Sequence, residues 1–402
     1  MRVAIVRQRY NPYGGAERFI ERALPALERA GAELTLIARR AEGWGARRVL
    51  GVDPFYLGNA WRDASFARAA RTAWEAGKFD LVQSHERIAG CDLYRAGDGV
   101  HAEWLDIRRA SGGTAERLGI ALNPHHHYAC AAERRMFEHP RLRAVICNSR
   151  MVRDEIQRGF RVAPEKLRVI YNGVDLEHFH PRERESRRGA ARAELGCRPR
   201  DTVFLFVGSG FERKGLAAAI DAFAAAPYAS WWLVVAGRDR RLEKFRQQAH
   251  ARGLLARTRF VGGQREVRSL YAAADCFILP SRYDPFPNTA LEALAMGLPA
   301  IVSSHTGAAE VISQGVDGWV CRPDDPDGLA GLLAKADEAL RGGARMGEAA
   351  RADAQSRFTS IHFERAILRA YGVAASGRKP VRPALRKAIN RERQASWNRS
   401  GN

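Results

Sequence analysis

The feature that most constrains this fold is the regular alternation of short apolar runs with helix-length segments. Runs rich in Val, Ile, Leu and Phe are typical of strands buried on both faces of a parallel sheet. The segments between them are long enough for the crossovers that parallel strands require. The pattern predicts strands at 3–6, 34–37, 80–84 and 144–149 in the first half, and at 202–208, 231–237, 259–263, 275–281, 299–304 and 318–323 in the second.

This alternation predicts an α/β protein with two doubly wound, Rossmann-like domains facing across a cleft. Asn172 and Gly173 form a turn signal, and the arginine-rich stretch after Pro181 shows no apolar face. We therefore interpret 169–196 as a linker and an exposed start of the second domain. The predicted order is a first domain over 1–175, a second over 176–355, a helix over 356–375 that packs back on the first domain, and a basic tail over 376–402.

The composition is that of an ordinary globular protein, with 46% hydrophobic residues among 402. We expect a cytoplasmic protein with reduced thiols, because the sequence shows no membrane span, no signal peptide and no C-x-x-C pattern among its six cysteines. The net charge of +20 indicates a polyanionic partner: nucleic acid, an anionic membrane or a phosphorylated substrate. The basic tail is either solvated or in contact with membrane headgroups.

The stretch 281–297, SRYDPFPNTALEALAMG, combines two carboxylates with a helix start. Its two prolines delay the helix until Asn288, so the N–H groups of Asn288 and Thr289 form a site for an anion at the carboxyl edge of a sheet. Asp284 and Glu292 would repel a lone phosphate, but a nucleotide-sugar offers hydroxyls on both sides of its diphosphate. Glu292 would then face the ribose and Asp284 the sugar. The alternative is a turn-forming Asp284 and an exposed Glu292.

Two further loops follow strands. In 207–216, VGSGFERKGL, Arg213 and Lys214 can neutralise the charge that develops on a departing diphosphate. A solvated basic turn is the alternative.

Gly14 and Gly15, after the first strand, let the backbone approach a ligand closely or simply form a tight turn. Their spacing is not G-x-G-x-x-G, so a nicotinamide cofactor is not predicted.

Taken together, these motifs resemble retaining glycosyltransferases of family 4, which have the two-domain GT-B fold. The resemblance covers the chain to about residue 372. It rests on GGAER, VIYNGVDLEHFHP, ERKG and the acidic pair with LEALAMGLPAIVSS after it. The segments VGSGFERKG and AGDGVHAEW are most similar to lipopolysaccharide core enzymes that add the first glucose to an inner-core heptose.

The resemblance implies transfer of a hexose, most simply glucose from UDP-glucose, with retention and without a cofactor or a metal ion. It implies that Asp284 contacts the sugar, Glu292 the ribose, and Arg213 and Lys214 the diphosphate. Family members usually carry Glu where this chain has Asp284 and Gly where it has Pro287, which bears on the sugar that fits. The further donor contacts implied are Gly14, Gly15, Ser209, Gln264, Arg265, Pro287, Asn288 and Thr289.

In AGDGVHAEW, Asp98 and His101 align with a loop that faces the acceptor in this family. Asp98 is predicted to be catalytic, by contacting the donor sugar or by orienting the acceptor hydroxyl, and His101 to bind the acceptor. A purely structural His101 is the alternative. The segment 124–138 contains three adjacent histidines, but these do not share one helix face, so no metal site is predicted.

Three other functions stay open at this stage. A nucleotide-sugar epimerase can use the same architecture, and a related transferase can act on exopolysaccharide or another lipid acceptor. A basic nucleic-acid binder is the third, but the chain lacks a helix-turn-helix pattern and the aromatic basic strands of RNA modules, so no nucleic-acid partner is predicted. The predicted partners are a nucleotide-sugar, a lipopolysaccharide core or other glycolipid, and an anionic membrane surface on the cytoplasmic side of the inner membrane.

Overall fold

The structure, a computed structural model, describes residues 1–10, 15–226 and 228–375. The chain divides into two compact units. The first comprises Met1–Asn172 together with the helix that begins at Ser360, and the second comprises Gly173–Thr359. Gly14 and the basic tail, 376–402, lie outside the described residues, so the predictions made for them have no structural counterpart.

The first unit is built on a parallel sheet of seven strands. Its order is β5-β3-β1-β6-β7-β8-β9, and two short strands, β2 and β4, pair separately. The strands are β1 (Arg2–Val6), β2 (Arg9–Tyr10), β3 (Glu33–Ala38), β4 (Arg40–Ala41), β5 (Arg48–Gly51), β6 (Leu81–Ser84), β7 (Leu93–Ala96), β8 (Ala144–Cys147) and β9 (Leu167–Val169).

Helices cover both faces of this sheet and bury two hydrophobic clusters against it. The first six helices are α1 (Gly15–Arg29), α2 (Gly58–Gly77), α3 (His101–Ser111), α4 (Thr114–Leu122), α5 (Pro124–Phe137) and α6 (Arg150–Gly159). One cluster joins α1 to the helix that begins at Ser360, where Phe19 and Phe363 meet edge to face with ring centroids 5.0 Å apart. The other joins α2, α5 and α6 to the opposite face.

The second unit contains a parallel sheet of six strands in the order β12-β11-β10-β13-β14-β15. Its strands are β10 (Thr202–Val207), β11 (Trp231–Ala236), β12 (Thr258–Gly262), β13 (Cys276–Leu279), β14 (Ala300–Ser303) and β15 (Gly318–Cys321). Its helices are α7 (Arg182–Leu195), α8 (Leu216–Ala225), α9 (Leu242–Ala251), α10 (Arg268–Ala273), α11 (Asn288–Ala295), α12 (Pro326–Arg341) and α13 (Met346–Arg357); α14 is Ser360–Ala375.

The two sheets confirm the predicted α/β class with doubly wound, Rossmann-like topology. In the second sheet the chain winds outward in both directions from the centre, so that its strand order reverses between β10 and β13. Loops that leave the carboxyl ends of strands at such a reversal point are where doubly wound sheets bind ligands. The pattern missed the short strands β5, β7 and β9, because each has only three or four residues and includes an arginine.

The interpretation of the arginine-rich stretch as exposed linker is wrong for α7. Arg184, Arg188 and Arg192 lie four residues apart on one face of this helix. Their guanidinium groups donate to the carbonyl oxygens that end α10, including Ala273 and Ala274, and two of them pair with Asp275. Cations suit the negative end of a helix, so α7 docks through charge rather than through an apolar stripe.

We expect Arg192→Ala to destabilise the second unit by about 3 kcal/mol, because its buried side chain bridges Asp275 and four carbonyl oxygens. The midpoint of thermal unfolding, followed by circular dichroism, should fall by about 6 to 12 °C. Arg187→Ala is the matched control on the same helix, since Arg187 makes only a partly exposed pair with Glu183 and should cost less than about 1 kcal/mol. Equal effects of the two substitutions would contradict a docking role for this face.

Candidate active site

The candidate site lies where the strand order of the second sheet reverses. The loop after β10, 208–215, and the loop after β13, 280–287, leave neighbouring parallel strands at the same edge. Gly215 permits their close contact: its φ is +78°, and a Cβ at this position would overlap the carbonyl oxygen of Pro280. The Arg213 guanidinium also donates to the carbonyl oxygen of Tyr283 at 2.9 Å. The structure thus brings the two predicted loops together.

Lys214 and Asp284 form a buried ion pair between these loops. Lys214 is 9% exposed and Asp284 5% exposed, so both charges are almost removed from water. Burial lowers the pKa of Lys214 from its ordinary value, while the charge of Asp284 opposes this shift. A solvated basic turn is therefore excluded as a description of Lys214.

A third loop fixes the backbone of Asp284. Its N–H donates to the carbonyl oxygen of His305 at 3.0 Å, and its own carbonyl oxygen accepts from the N–H of Gly307 at 3.0 Å. These residues follow β14, the next strand of the sheet. The aspartate is consequently held from both sides, which limits how far its carboxylate can move relative to Lys214.

Glu292 lies in the second turn of α11 and is 1% exposed, which excludes the alternative of an exposed helix residue. The hydroxyl of Tyr271 lies 3.0 Å from Glu292 Oε2 and 3.1 Å from the carbonyl oxygen of Thr289. Sequence reasoning missed Tyr271, because nothing in its own segment, on α10, signals a contact with a helix eighteen or more residues later. The tyrosine orients the carboxylate.

The helix α11 begins at Asn288, directly after Pro287, as the prolines predicted. Pro287 has φ −73° and ψ 120°, so the chain is extended until the helix starts. Within the described part of the chain, the buried Thr289 Oγ1 has no hydrogen-bond partner. First-turn N–H groups, the helix dipole and this hydroxyl together make the start of α11 a suitable place for an anion.

The other predicted donor contacts of the second unit lie on exposed loops. Ser209 Oγ accepts from the N–H of Arg238 at 3.1 Å. Gln264 Nε2 donates to the carbonyl oxygen of Val261 at 2.5 Å, and Arg265 is exposed. These side chains are thus not part of the buried network around Lys214.

The remaining predicted residues lie in the first unit. Gly15 is the first residue of α1. Asp98 follows β7 with 57% of its side chain exposed, and one of its oxygens lies 4.0 Å from an Arg7 guanidinium nitrogen. Arg7 also pairs with Glu17 and Glu86, a cluster at the carboxyl ends of β1 and β6 that sequence reasoning missed.

His101 begins α3, and its Nε2 lies 3.1 Å from His126 Nδ1 on α5. Burial, together with the charges of nearby arginines and histidines, lowers the pKa of His101 to about 3. The ring is therefore neutral near neutral pH, where it can make hydrogen bonds but has little strength as a base.

Comparisons with known proteins match each of the two units to a family of glycosyltransferases. A model described as Glycosyltransferase Family 4 matches residues 13–178, and one described as Glycosyl transferases group 1 matches residues 188–353. A probable transglycosylase of Burkholderia thailandensis is 30% identical over 351 residues, which are 85% of this chain and 89% of that protein. The lipopolysaccharide glucosyltransferase WaaG of Escherichia coli is 26% identical over 343 residues, 84% of this chain and 89% of WaaG.

Solved structures give the same result for the fold. The crystal structure of WaaG superposes with a TM-score of 0.80 at 25% identity and covers 92% of this chain and all of that one. The structure of Anabaena HepE in complex with UDP-glucose has a TM-score of 0.71 at 21% identity, covering 92% of this chain and 99% of that one. Because HepE is only 21% identical to this chain, its similarity shows the fold alone.

We expect the Lys214–Asp284 pair to show strong energetic coupling. Lys214→Met alone leaves a buried carboxylate without its cation and should reduce the free energy of unfolding by about 3 kcal/mol. Adding Asp284→Asn to Lys214→Met should recover part of that loss, and urea unfolding of all four proteins gives the coupling energy. Lys244→Met, which removes an exposed partner of Glu212, is the control and should cost less than about 1 kcal/mol. Additive effects of the two buried substitutions would contradict the pair.

Proposed function

The chain belongs to glycosyltransferase family 4, and from this premise we propose that it transfers glucose from UDP-glucose to a heptose of the lipopolysaccharide inner core. It is an enzyme with the GT-B fold that uses a nucleotide-sugar donor. The observation that carries the proposal is the buried Lys214–Asp284 pair beside the start of α11. It combines a cation for a diphosphate with a carboxylate for a sugar hydroxyl.

In the proposed complex, the diphosphate lies at the start of α11 and accepts hydrogen bonds from the N–H groups of Asn288 and Thr289. Lys214 and Arg213 add positive charge where the leaving group becomes more negative. Asp284 already holds the Lys214 side chain, and the carbonyl oxygen of Tyr283 already holds that of Arg213. Little reorganisation of these two cations therefore accompanies the reaction. Because these groups supply the charge, the proposed mechanism requires no metal ion at the donor.

The two carboxylates have different roles in this proposal. Glu292, oriented by Tyr271, accepts hydrogen bonds from the ribose hydroxyls. Asp284 contacts the hydroxyls of the transferred sugar, and its backbone contacts with the loop after β14 keep it in place. An aspartate reaches less far than the glutamate usual in the family, so its hydroxyl contacts select the sugar.

We propose that the sugar is transferred by attack on the face from which the diphosphate departs. The bond between the anomeric carbon and the phosphate oxygen breaks, and a bond to the acceptor oxygen forms on the same face with retention. The acceptor proton passes to the departing phosphate oxygen, so the reaction needs no enzyme nucleophile. Isolation of a sugar covalently attached to a carboxylate of the enzyme would contradict this step.

The first unit supplies the acceptor side in this proposal. Asp98, which is exposed and near Arg7, orients the acceptor hydroxyl or contacts the donor sugar. His101 contacts the acceptor through a neutral ring, and the backbone at Gly15 contacts the donor diphosphate.

The likeness to WaaG over 84% of the chain supports a lipopolysaccharide core acceptor. We further propose that the enzyme works at the cytoplasmic face of the inner membrane, with the basic tail on anionic headgroups. Among residues 1–10, 15–226 and 228–375, no helix combines the length and the apolar character that crossing a bilayer requires.

We expect Lys214→Ala and Glu292→Ala each to reduce glucose transfer by about tenfold to a hundredfold, because each removes a charge-assisted contact to the donor. Initial rates with UDP-glucose and truncated lipopolysaccharide give the effect, in variants whose circular dichroism spectrum matches the wild type. Lys335→Ala and Glu338→Ala, which change exposed residues of α12, are the controls and should leave the rate unchanged. A folded Lys214 or Glu292 variant with the wild-type rate would remove that residue from the site.

We also expect UDP-glucose to stabilise the protein more than GDP- or ADP-sugars. A ligand at a hundredfold excess over its Kd raises the free energy of unfolding by about 2.7 kcal/mol, which corresponds to a shift of about 5 to 10 °C. A thermal-shift screen over the three donor classes measures this, and product analysis without acceptor reveals any epimerised donor. A larger shift with a GDP- or ADP-sugar would overturn the donor assignment, and an epimerised product would identify an epimerase instead.

A further inference from the structure

We propose that His101, His125 and His126 form a binding site for one divalent transition-metal ion of the zinc class. Each histidine offers one ring nitrogen, and these three atoms all lie within 4.8 Å of one another. Neutral imidazole is a preferred ligand of Zn²⁺ and of the neighbouring ions Ni²⁺ and Cu²⁺. The site lies wholly within the first unit and does not depend on the proposed transfer reaction.

The sequence argument considered only one helix. Three adjacent histidines do not share a face of α5, and His127 indeed lies apart, with its Nε2 against the carbonyl oxygen of Ala121. We call His101, His125 and His126 the trio. Its third ring nitrogen comes from His101, the first residue of α3. His125 and His126 lie in the first turn of α5, so the trio joins the starts of two helices.

The backbone on both sides of the trio is already fixed. The N–H of His101 lies 3.0 and 3.1 Å from the two carboxylate oxygens of Glu133, a residue that is fully buried. The N–H of His125 donates to Asn123 Oδ1, the cap of α5, at 2.9 Å. Only the side-chain torsions of the histidines remain to be set when an ion binds.

The spacing of the ring nitrogens fits a shared ion. His101 Nε2 and His126 Nδ1 are 3.1 Å apart, and two nitrogens on one tetrahedral zinc ion are about 3.4 Å apart. The hydrogen bond between these rings holds a proton that the ion would replace. No two of the three ring nitrogens are more than 4.8 Å apart. A side-chain adjustment of about an ångström would bring the most distant pair to the separation found on one zinc ion.

Asp63 is an outer partner of the trio. Its Oδ2 lies 3.0 Å from His125 Nε2, and its Oδ1 accepts from Gln8 and from Arg62. When His125 keeps this hydrogen bond, Nδ1 is the nitrogen that remains for a metal. A carboxylate on the far nitrogen of a ligating histidine orients the ring and makes it a stronger ligand.

The arginines near the trio are each paired with a carboxylate. Arg87 pairs with Glu133 at 2.9 Å, Arg108 with Glu116 at 2.8 Å, and Arg109 with Asp106 at 2.7 Å.

An ion can reach the site from solvent. His126 lines a cavity of about 740 Å³ between α3, α4 and α5, together with Leu105, Arg109 and Ile120. Three protein nitrogens leave the fourth tetrahedral position for a water molecule from this cavity. The ion would clamp the start of α3, which follows Asp98 by three residues, to α5, and so stabilise this part of the first unit.

The experiment measures Zn²⁺ binding by untagged, full-length protein after treatment with a chelator, by competition with a chromophoric chelator. We expect one equivalent of Zn²⁺ per chain, and at least about tenfold weaker binding in both His125→Ala and His126→Ala. His127→Ala is the matched control, because it changes an adjacent histidine outside the trio and should bind as the wild type does. Co²⁺ should give the visible absorption bands of a tetrahedral site in the wild type and in His127→Ala, but not in His125→Ala or His126→Ala.

A second measurement separates loss of the site from loss of the fold. Zn²⁺ should raise the midpoint of thermal unfolding of the wild type and of His127→Ala, and leave those of His125→Ala and His126→Ala unchanged. Asp63→Asn keeps all three ligands and should weaken binding about tenfold through its effect on His125. Wild-type affinity in both trio variants, or the same loss in His127→Ala, would overturn the proposal.

Discussion

The ion pair between Lys214 and Asp284 is the interaction on which the candidate site depends. Removing two charges from water costs several kcal/mol for each ion, and only their mutual attraction and further hydrogen bonds offset that cost. Here Gly215 lets the loop after β10 touch the loop after β13, and the loop after β14 holds the aspartate from behind. Three neighbouring strands thus present one cation and one carboxylate beside the start of a helix, the arrangement on which the proposed binding of a nucleotide-sugar rests.

Much of the fold and part of the site follow from local features of the sequence. Buried parallel strands are recognised by their continuous apolar runs, and β10 and β11 begin at the first residue of the predicted runs. The prolines before Asn288 limit how early α11 can begin, because a proline ring disfavours helical geometry in the residue before it. The order of loops along a doubly wound sheet then brings the residues after β10 and β13 together.

Other features depend on contacts between distant segments. The helix α7 has no apolar stripe, and only the carbonyl oxygens at the end of α10 explain why Arg192 is buried and Arg184 and Arg188 lie on the same docked face. Tyr271 contacts Glu292 across the interface of two helices, and no pattern in either segment encodes that contact. The trio of His101, His125 and His126 likewise exists because two helix starts meet, so considering one helix at a time cannot reveal it.

A crystal structure of the protein with UDP bound tests the central claim most directly. The account predicts that the diphosphate lies at the start of α11, within hydrogen-bonding distance of the N–H groups of Asn288 and Thr289 and of Lys214 Nζ, with the ribose hydroxyls on Glu292. A diphosphate bound away from α11, with Lys214 still paired to Asp284 and Glu292 without a ribose hydroxyl, would contradict the account.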